Sequence, residues 1–277
     1  MEKAVFINSV KQIARTAGFD RLYYGAEFCQ DLTPSLNDVK NVVSAAEKQG
    51  KAFTLLTSYV TGEGLKRLRP LFEYLNARDG RMEVVCNEWG VFRVLRREYR
   101  NIRPVLGRLL TKQRRDPRMY NILLNRQKPQ WVFDERNRKK VLVLPKKVPA
   151  ALLEHYQGSV INLPAFQDFL LSHDVQRVEI DHLPWDMTVA TGRKIQVSVY
   201  GPYAYMATTR LCGTINLTSG ACGKECRKRY FRLERLASPL PIYVWGNTVF
   251  YKAIMPEEKY LKERGIDRIV RNDRAPV

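Results

Sequence analysis

The chain has 277 residues, of which 45% are hydrophobic, and carries a formal net charge of +19. This length and apolar content suffice for one main domain with a full core, and no apolar run approaches the length needed to span a membrane. The amino terminus lacks the charged and then apolar pattern of a secretory signal, so we expect a cytoplasmic protein.

Strand and helix patterns alternate through the first 110 residues. Amphipathic spacing first predicts a helix within the first twenty residues. Strands are then predicted at Arg21 to Phe28, Lys51 to Val60, Met82 to Cys86 and Arg103 to Leu110. Helices are predicted between them at Ser35 to Gln49, Gly62 to Asn76 and Gly90 to Tyr99. Successive strands start about thirty residues apart, which is the length of a βα unit, so the rhythm predicts a parallel, TIM-barrel-like α/β fold.

The rhythm breaks after Leu110. Residues 111–149 are basic and interrupted by prolines, and we interpret them as an insertion with a hairpin at Lys140 to Leu144. The alternation then resumes, with helices predicted at 150–156 and 164–172 and strands at 159–162, 177–181 and 194–200. From residue 232 onward we expect an appendage with a hairpin that turns at Gly246-Asn247, and a charged, partly mobile tail from Ile266. The predicted domains are therefore a barrel over 1–231 and a small carboxyl-terminal piece over 232–277.

Positive charge is concentrated in one segment. Between Arg93 and Lys147 the sequence has eighteen lysines and arginines against four acidic residues. Such a block indicates a polyanionic partner, either RNA or an anionic membrane surface. A solvated basic surface is the alternative, because no named RNA-binding motif accompanies the charge.

Three of the five cysteines, Cys212, Cys222 and Cys226, fall within fifteen positions. A short helical turn would place Cys222 and Cys226 on the same side, and the loop from Gly213 to Gly220 could return Cys212 toward the pair. Cysteines this close usually hold a metal or form a disulfide, and reducing conditions in the cytosol favour metal. Three unrelated thiols are the alternative interpretation.

The spacing favours an iron–sulfur cluster over zinc. Structural zinc sites use two closely spaced cysteine pairs, and here only Cys222 and Cys226 could form one, so zinc is the second choice. A cubane [4Fe-4S] cluster accepts irregular spacing and needs about four thiolates. The fourth would be Cys29, in a loop after a predicted strand, or Cys86, and spacing alone favours Cys29 only slightly.

Several short motifs resemble the short branch of the peptidase U32 family. They are Tyr24-Gly-Ala-Glu-Phe-Cys29, Tyr200-Gly201, Arg210-Leu-Cys212 and Cys222-x3-Cys226, and the resemblance covers most of the chain. The family includes iron–sulfur proteins of oxygen-independent ubiquinone hydroxylation and enzymes that hydroxylate tRNA or ribosomal RNA. The resemblance implies a [4Fe-4S] cluster on Cys29, Cys212, Cys222 and Cys226, with no counterpart for Cys86. Many members have His-Gly at the Tyr200-Gly201 position, so the substrate stays open.

Other candidate residues stand where barrel strands are predicted to end, which is where functional groups gather in such folds. Carboxylates that could act as acid or base are Glu27, Glu88 and Asp181. Residues that could bind a substrate are Asn87, Arg108, Lys112, Tyr200 and Arg210. Each could equally cap a helix or form a structural ion pair, and their convergence on one mouth is the reason to consider them.

With four cysteine ligands, no iron would be open to substrate, so the cluster would serve electron transfer, sensing or scaffolding. The resemblance implies a hydroxylase or hydroxylase subunit for a quinone precursor or an RNA base. It also implies a heterodimer with a second U32 protein or a homo-oligomer. The positive charge of segment 93–147 slightly favours RNA as the substrate. The alternatives are a U32-type peptidase, disfavoured because protease motifs are absent from the sequence, and a non-catalytic RNA-binding iron–sulfur module.

Overall fold

Eight parallel strands form a closed barrel, which confirms the predicted fold class. The computed structural model describes residues 1–124, 126–192, 194–213, 222–234 and 238–273. The described strands are β1 (Glu2–Ile7), β2 (Arg21–Gly25), β3 (Ala52–Leu56), β4 (Met82–Cys86), β5 (Ile102–Leu106), β6 (Gln130–Asp134), β7 (Lys139–Val143), β8 (Arg177–Asp181), β9 (Gln196–Gly201), β10 (Tyr203–Thr208), β11 (Phe231–Leu233), β12 (Ile242–Trp245), β13 (Thr248–Lys252) and β14 (Arg268–Arg271). Around the barrel the order is β1-β14-β9-β8-β5-β4-β3-β2.

Helices surround the barrel. They are α1 (Leu36–Lys48), α2 (Gly62–Asn76), α3 (Trp89–Glu98), α4 (Tyr120–Leu123), α5 (Ala150–Gln157), α6 (Pro164–Ser172) and α7 (Glu258–Glu263). In α1, the Ser35 side chain accepts a hydrogen bond from the backbone N–H of Asp38 and so caps the helix start. The buried side chains of α1 recur three or four positions apart, on one face: Val39, Val42, Val43 and Ala46. Each fully buried valine contributes roughly 1.5–3 kcal/mol to packing.

The amino-terminal segment differs from its prediction. Glu2–Ile7 form a barrel strand rather than a helix, and β1 pairs with β2 on one side and β14 on the other. Ala4 and Phe6, two positions apart, belong to the inner apolar cluster with Tyr23. Burial of every second residue is typical of a strand in a barrel wall. Of the predicted helix, the structure has a short 3-10 segment at Val10–Arg15.

The charged carboxyl-terminal segment also differs from its prediction. Arg268–Arg271 form β14, which closes the barrel between β1 and β9. The Arg268 guanidinium donates hydrogen bonds to Glu2 and Glu83, so its charge is neutralised inside the molecule. Burial opposes ionisation of Glu83, but hydrogen bonding and charge from Arg268 lower its pKa to about 2. Residues 274–277, placed in the same tail, lie outside the described residues.

One predicted strand is a turn. Residues 159–162 form a 3-10 turn at Val160–Asn162 instead, with the Ser159 side chain accepting from the Ile161 N–H. A serine cap of this kind favours a helical start over an extended strand. The helices predicted on either side, α5 and α6, are confirmed.

Two antiparallel units accompany the barrel. The predicted hairpin that turns at Gly246-Asn247 is confirmed as β12 and β13, and these strands belong to a sheet ordered β10-β13-β12-β11. Phe28, which follows β2, packs against Tyr205 and Phe250 of this sheet, so the sheet lies at the carboxyl end of the barrel. The basic insertion contains a separate hairpin of β6 and β7, longer than the predicted one. Among the described helices none is long and apolar enough to cross a membrane.

Candidate metal centre

Cys29 lies in the loop that follows barrel strand β2. It directly precedes a 3-10 turn, Gln30–Leu32, and its carbonyl oxygen accepts a hydrogen bond from the Leu32 N–H at 3.2 Å. The residue is partly exposed. Burial raises the pKa of its thiol, and the charges of Asp31 and Cys222 act in the same direction. The loop therefore presents Cys29 at the carboxyl end of a strand, where the sequence predicts it.

Asn247, in the turn between β12 and β13, connects the loop of Cys29 to the segment that leads to Cys212. Its side-chain amide donates to the carbonyl oxygen of Phe28 at 2.6 Å and to that of Thr209 at 2.7 Å. The Thr209 N–H in turn donates to the backbone carbonyl of Asn247 at 3.1 Å. Tyr59 also holds the Thr209 segment, since its hydroxyl donates to the Thr209 carbonyl at 2.7 Å. The Asn247 amide thus holds together the segment that carries Cys29 and the segment that leads to Cys212.

Cys226 is held by the same antiparallel sheet. It lies in a 3-10 turn, Glu225–Arg227, and is buried. The indole N–H of Trp245 donates to the carbonyl oxygen of Cys226 at 2.7 Å. The Tyr230 ring stacks on Trp245, with the centroids 4.4 Å apart. These contacts fix the turn against β12.

The charges of the other three candidate cysteines affect the pKa of Cys226. Burial, together with the charges of Cys29, Cys212 and Cys222, raises the pKa of Cys226 to about 11. Cys29 packs against the apolar cluster that contains Cys226, so these two thiols lie in one region of the structure. Among the described residues, however, no three cysteine, histidine, aspartate or glutamate side chains form a group that could hold a metal ion as they stand.

Cys86 is separate from this region. It is fully buried at the end of β4 and belongs to the main apolar core. Burial raises the pKa of its thiol, and the charges that add to the shift are those of Glu88 and Glu179 rather than of another cysteine. Cys86 therefore serves as a small core residue.

A buried ion network joins the loop of Cys29 to two other strand ends. Arg108, after β5, donates two hydrogen bonds of 2.7 Å to Glu27 and another to Asp181 at the end of β8. All three side chains are 0% exposed. Burial opposes the charge of Arg108, but the carboxylates of Asp181 and Glu27 raise its pKa well above the usual value. Arg115 also donates to Asp181, so these predicted site residues neutralise one another inside the protein.

Tyr200 lies against this network in the barrel interior. The Arg108 guanidinium is 4.1 Å from the centroid of its ring. The Tyr200 hydroxyl donates to Glu179 at 2.9 Å. Burial and the nearby charge of Glu27 raise the pKa of Glu179 to about 8, so this carboxyl group is largely protonated at neutral pH. Tyr200 thus occupies the core beneath the site rather than an open pocket.

The other predicted site residues have local roles in the structure. The Glu88 side chain caps α3 by accepting from the Val91 N–H at 2.9 Å. The Asn87 amide donates to the Thr57 carbonyl at 3.0 Å and accepts from the Leu109 N–H at 3.2 Å, so it bridges neighbouring strand ends. Two further cations, Lys112 and Arg210, are exposed. The network does not include either of them, and Arg210 lies 5.8 Å from the Tyr59 ring centroid.

Sequence reasoning did not identify Asn247, Trp245 or Arg115. Each acts on a partner that is distant along the chain, such as the bond between Trp245 and Cys226. The only relevant signal was the Gly246-Asn247 turn of the predicted hairpin, which located Asn247 without indicating what its amide binds.

A cleft of about 870 Å³ opens beside the ends of β8 and β9. Its lining is mostly apolar and includes Leu183, Pro202, Ala253, Met255 and Tyr260. The charged residues are Lys252 and Arg271 as cations and Asp186 and Asp273 as carboxylates, and Arg271 pairs with Asp273. His182 also lines the cleft, and burial lowers its pKa to about 4, so its imidazole is neutral. The Nδ1 atom of His182 has no hydrogen-bond partner among the described residues. Apolar walls with a few polar groups are typical of small-molecule sites.

Aromatic side chains connect the cysteine region to this cleft. Trp245, bonded to Cys226, has its ring centroid 6.2 Å from that of Tyr203. The ammonium group of Lys252, on the rim of the cleft, is 5.6 Å from the Tyr203 ring centroid. A continuous series of contacts therefore runs from Cys226 to the cleft.

Neither a protein family model, nor a curated protein, nor a solved structure matches this chain.

Proposed function

We propose that Cys29, Cys212, Cys222 and Cys226 bind a [4Fe-4S] cluster. The observation that carries the proposal is the packing of Cys29 against the apolar cluster that contains Cys226, at the carboxyl end of a parallel barrel. This end is where functional sites gather in such barrels. The fourth cysteine comes from a segment far from the other three in sequence, as the resemblance to the U32 family implies.

The chemistry of the donor set supports iron–sulfur binding. Thiolates alone can satisfy a cubane cluster, and rotation about the Cα–Cβ bonds would turn neighbouring thiols toward a common centre. The cluster carries negative charge, and the turn of Cys226 supplies the cations Lys224, Arg227, Lys228 and Arg229. Two of these, Lys228 and Arg229, are only partly neutralised, because they share the single carboxylate of Glu225.

The chain's own residues position the ligands. Asn247 fixes the approaches to Cys29 and Cys212, and Trp245 fixes the turn of Cys226. Arg108 anchors Glu27, two positions before Cys29, inside the barrel. With four protein ligands, the cluster would supply electron transfer rather than a Lewis acid.

By its resemblance to the U32 family, the protein would take part in an oxygen-independent hydroxylation of a quinone precursor or an RNA base, as the enzyme or as one of its subunits. The cleft lined by His182 and Lys252 is the candidate site for the substrate or its reactive ring. The Tyr203 and Trp245 rings lie between this cleft and Cys226, and so offer a short path for electrons.

Anaerobic purification tests the cluster directly. We expect about four iron and four sulfide per chain with visible thiolate-to-iron absorption. Cys226→Ala should abolish the colour, whereas Cys86→Ala, a matched change at the other buried cysteine, should keep it. Stoichiometric zinc without colour, or equal iron in both variants, would refute the assignment.

The reaction is tested separately from the cluster. Converting R–H and water into R–OH releases two electrons and two protons, so the oxidised protein is incubated anaerobically with a quinone precursor or with RNA and an added artificial electron acceptor. Hydroxylated product, with its oxygen taken from water, is measured by mass spectrometry. Product that disappears in Cys226→Ala supports the proposed role. Proteolysis of casein by the metal-free protein would instead support the peptidase alternative.

A further inference from the structure

The hairpin of β6 and β7 presents an apolar face to solvent. Trp131 pairs with Leu142 across the two strands, and Phe133 pairs with Lys140, so these four side chains lie on one face. Trp131 is 69% exposed, Phe133 56% and Leu142 44%. Leu144, directly after β7, is 63% exposed. We call Trp131, Phe133, Lys140 and Leu142 the hairpin face.

The hairpin pairs with no other described strand, and its apolar side chains belong to none of the described hydrophobic clusters. A two-stranded hairpin standing alone is marginally stable in water. An exposed apolar patch of this size on such an element indicates a surface that is covered by something else.

The charges around the hairpin face restrict what covers it. Residues 126–147 contain eight lysines and arginines against two acidic residues. All eight cations are exposed, and none makes an ion pair with a carboxylate of the described residues: Arg126, Lys128, Arg136, Arg138, Lys139, Lys140, Lys146 and Lys147. Two copies of this surface would repel each other, so the partner must be anionic.

The apolar composition distinguishes between anionic partners. Single-stranded nucleic acid binds through base stacking on aromatic rings, which Trp131 and Phe133 could provide. Leu142 and Leu144 are also exposed, however, and aliphatic groups offer bases neither stacking nor hydrogen bonds. Aliphatic and tryptophan side chains among lysines are instead suited to the boundary between lipid headgroups and acyl chains.

We propose that the β6–β7 hairpin docks the protein on the surface of an anionic lipid bilayer. The hairpin face enters the headgroup region, and the surrounding lysines and arginines contact lipid phosphates. The docking is peripheral and independent of the cysteine site.

Flotation of the full-length protein with vesicles tests this inference. We expect binding to vesicles of phosphatidylglycerol and phosphatidylcholine, weaker binding at high salt, and little binding to phosphatidylcholine alone. The double change Trp131→Ser and Phe133→Ser should weaken binding about tenfold or more. Lys139→Gln with Lys140→Gln should weaken it chiefly at low salt.

Matched controls separate docking from general stickiness. Leu163→Ser removes an exposed apolar side chain elsewhere, and Lys259→Gln with Lys262→Gln removes two exposed lysines outside the hairpin. Both should bind vesicles as the parent does. Unchanged vesicle binding by the Trp131/Phe133 variant would overturn the inference, as would binding of that surface to single-stranded RNA alone with no flotation.

Discussion

The side-chain amide of Asn247 donates a hydrogen bond of 2.6 Å to the carbonyl oxygen of Phe28, 219 positions earlier in the chain. The bond joins the turn of an antiparallel hairpin to the barrel loop that carries Cys29. Because the same amide also binds the Thr209 carbonyl, the relative placement of Cys29 and Cys212 depends on one side chain.

Asn247→Asp should therefore impair cluster binding. The aspartate has nearly the same shape but cannot donate, so the Phe28 carbonyl oxygen loses this partner, at a cost of about 1–3 kcal/mol if it is left unsatisfied. The Thr209 carbonyl keeps its bond from Tyr59. We expect a lower melting temperature and a clear loss of iron per chain after anaerobic purification. The control is Asn137→Asp, in the exposed turn between β6 and β7, which should retain full iron. Full iron in Asn247→Asp would contradict the positioning role.

Arg108→Met should destabilise the whole barrel. The change leaves the Glu27 carboxylate buried without its cation, while Asp181 keeps only Arg115. Breaking a buried pair in this way costs about 3–5 kcal/mol. Chemical denaturation measures the loss in free energy of unfolding. As a comparison, Arg69→Met removes an exposed ion pair with Glu98 and should change stability little. Equal stabilities for the two variants would show that the internal network is not needed for folding.

Glu179 should make stability depend on pH. Its pKa is about 8 in the folded protein against an ordinary value of 4.5, so the folded state holds a proton that the unfolded state releases. The stabilisation is complete below the ordinary value and is lost as the pH rises through about 8. The free energy of unfolding should fall by up to about 1.4 kcal/mol per pH unit in that window. Denaturation at several pH values should show a shallower slope for Glu179→Gln, and parallel slopes would argue against a protonated Glu179.

Glu88 should behave as a helix cap in stability measurements. Its carboxylate accepts from the Val91 N–H at the start of α3, so Glu88→Ala should lower the free energy of unfolding by about 0.5–2 kcal/mol. Glu88→Ser should restore most of it, because serine is a good cap. If Glu88→Ser keeps stability yet abolishes the reaction, Glu88 has a chemical role beyond the cap.

The regular part of the barrel could be predicted from the sequence because its determinants are local. Met82–Cys86 and Gly62–Asn76 have the predicted bounds, since burial in each follows a clear period. The first and last barrel strands could not be predicted in this way. A charged residue such as Arg268 indicates an exposed tail, and its burial is explained only by the bonds that it donates to Glu2 and Glu83 in the folded chain.

The same reasoning applies to the candidate site. The three late cysteines are close in sequence, so their grouping was visible. Spacing favoured Cys29 only slightly as the fourth ligand, and the family resemblance supplied the rest of that prediction. Contacts such as that of Asn247 with Phe28 depend on the folded chain. Glu27 and Asp181 lie at or just beyond strand ends, but their burial with Arg108 depends on three strands meeting and could not be predicted.

The position of β14 between β1 and β9 has a consequence for biosynthesis. Until residues 268–271 leave the ribosome, the wall of the barrel has a gap, and the nascent chain exposes two unpaired strand edges. Such edges invite aggregation, so a chaperone that shields them late in translation would favour a productive yield of this protein.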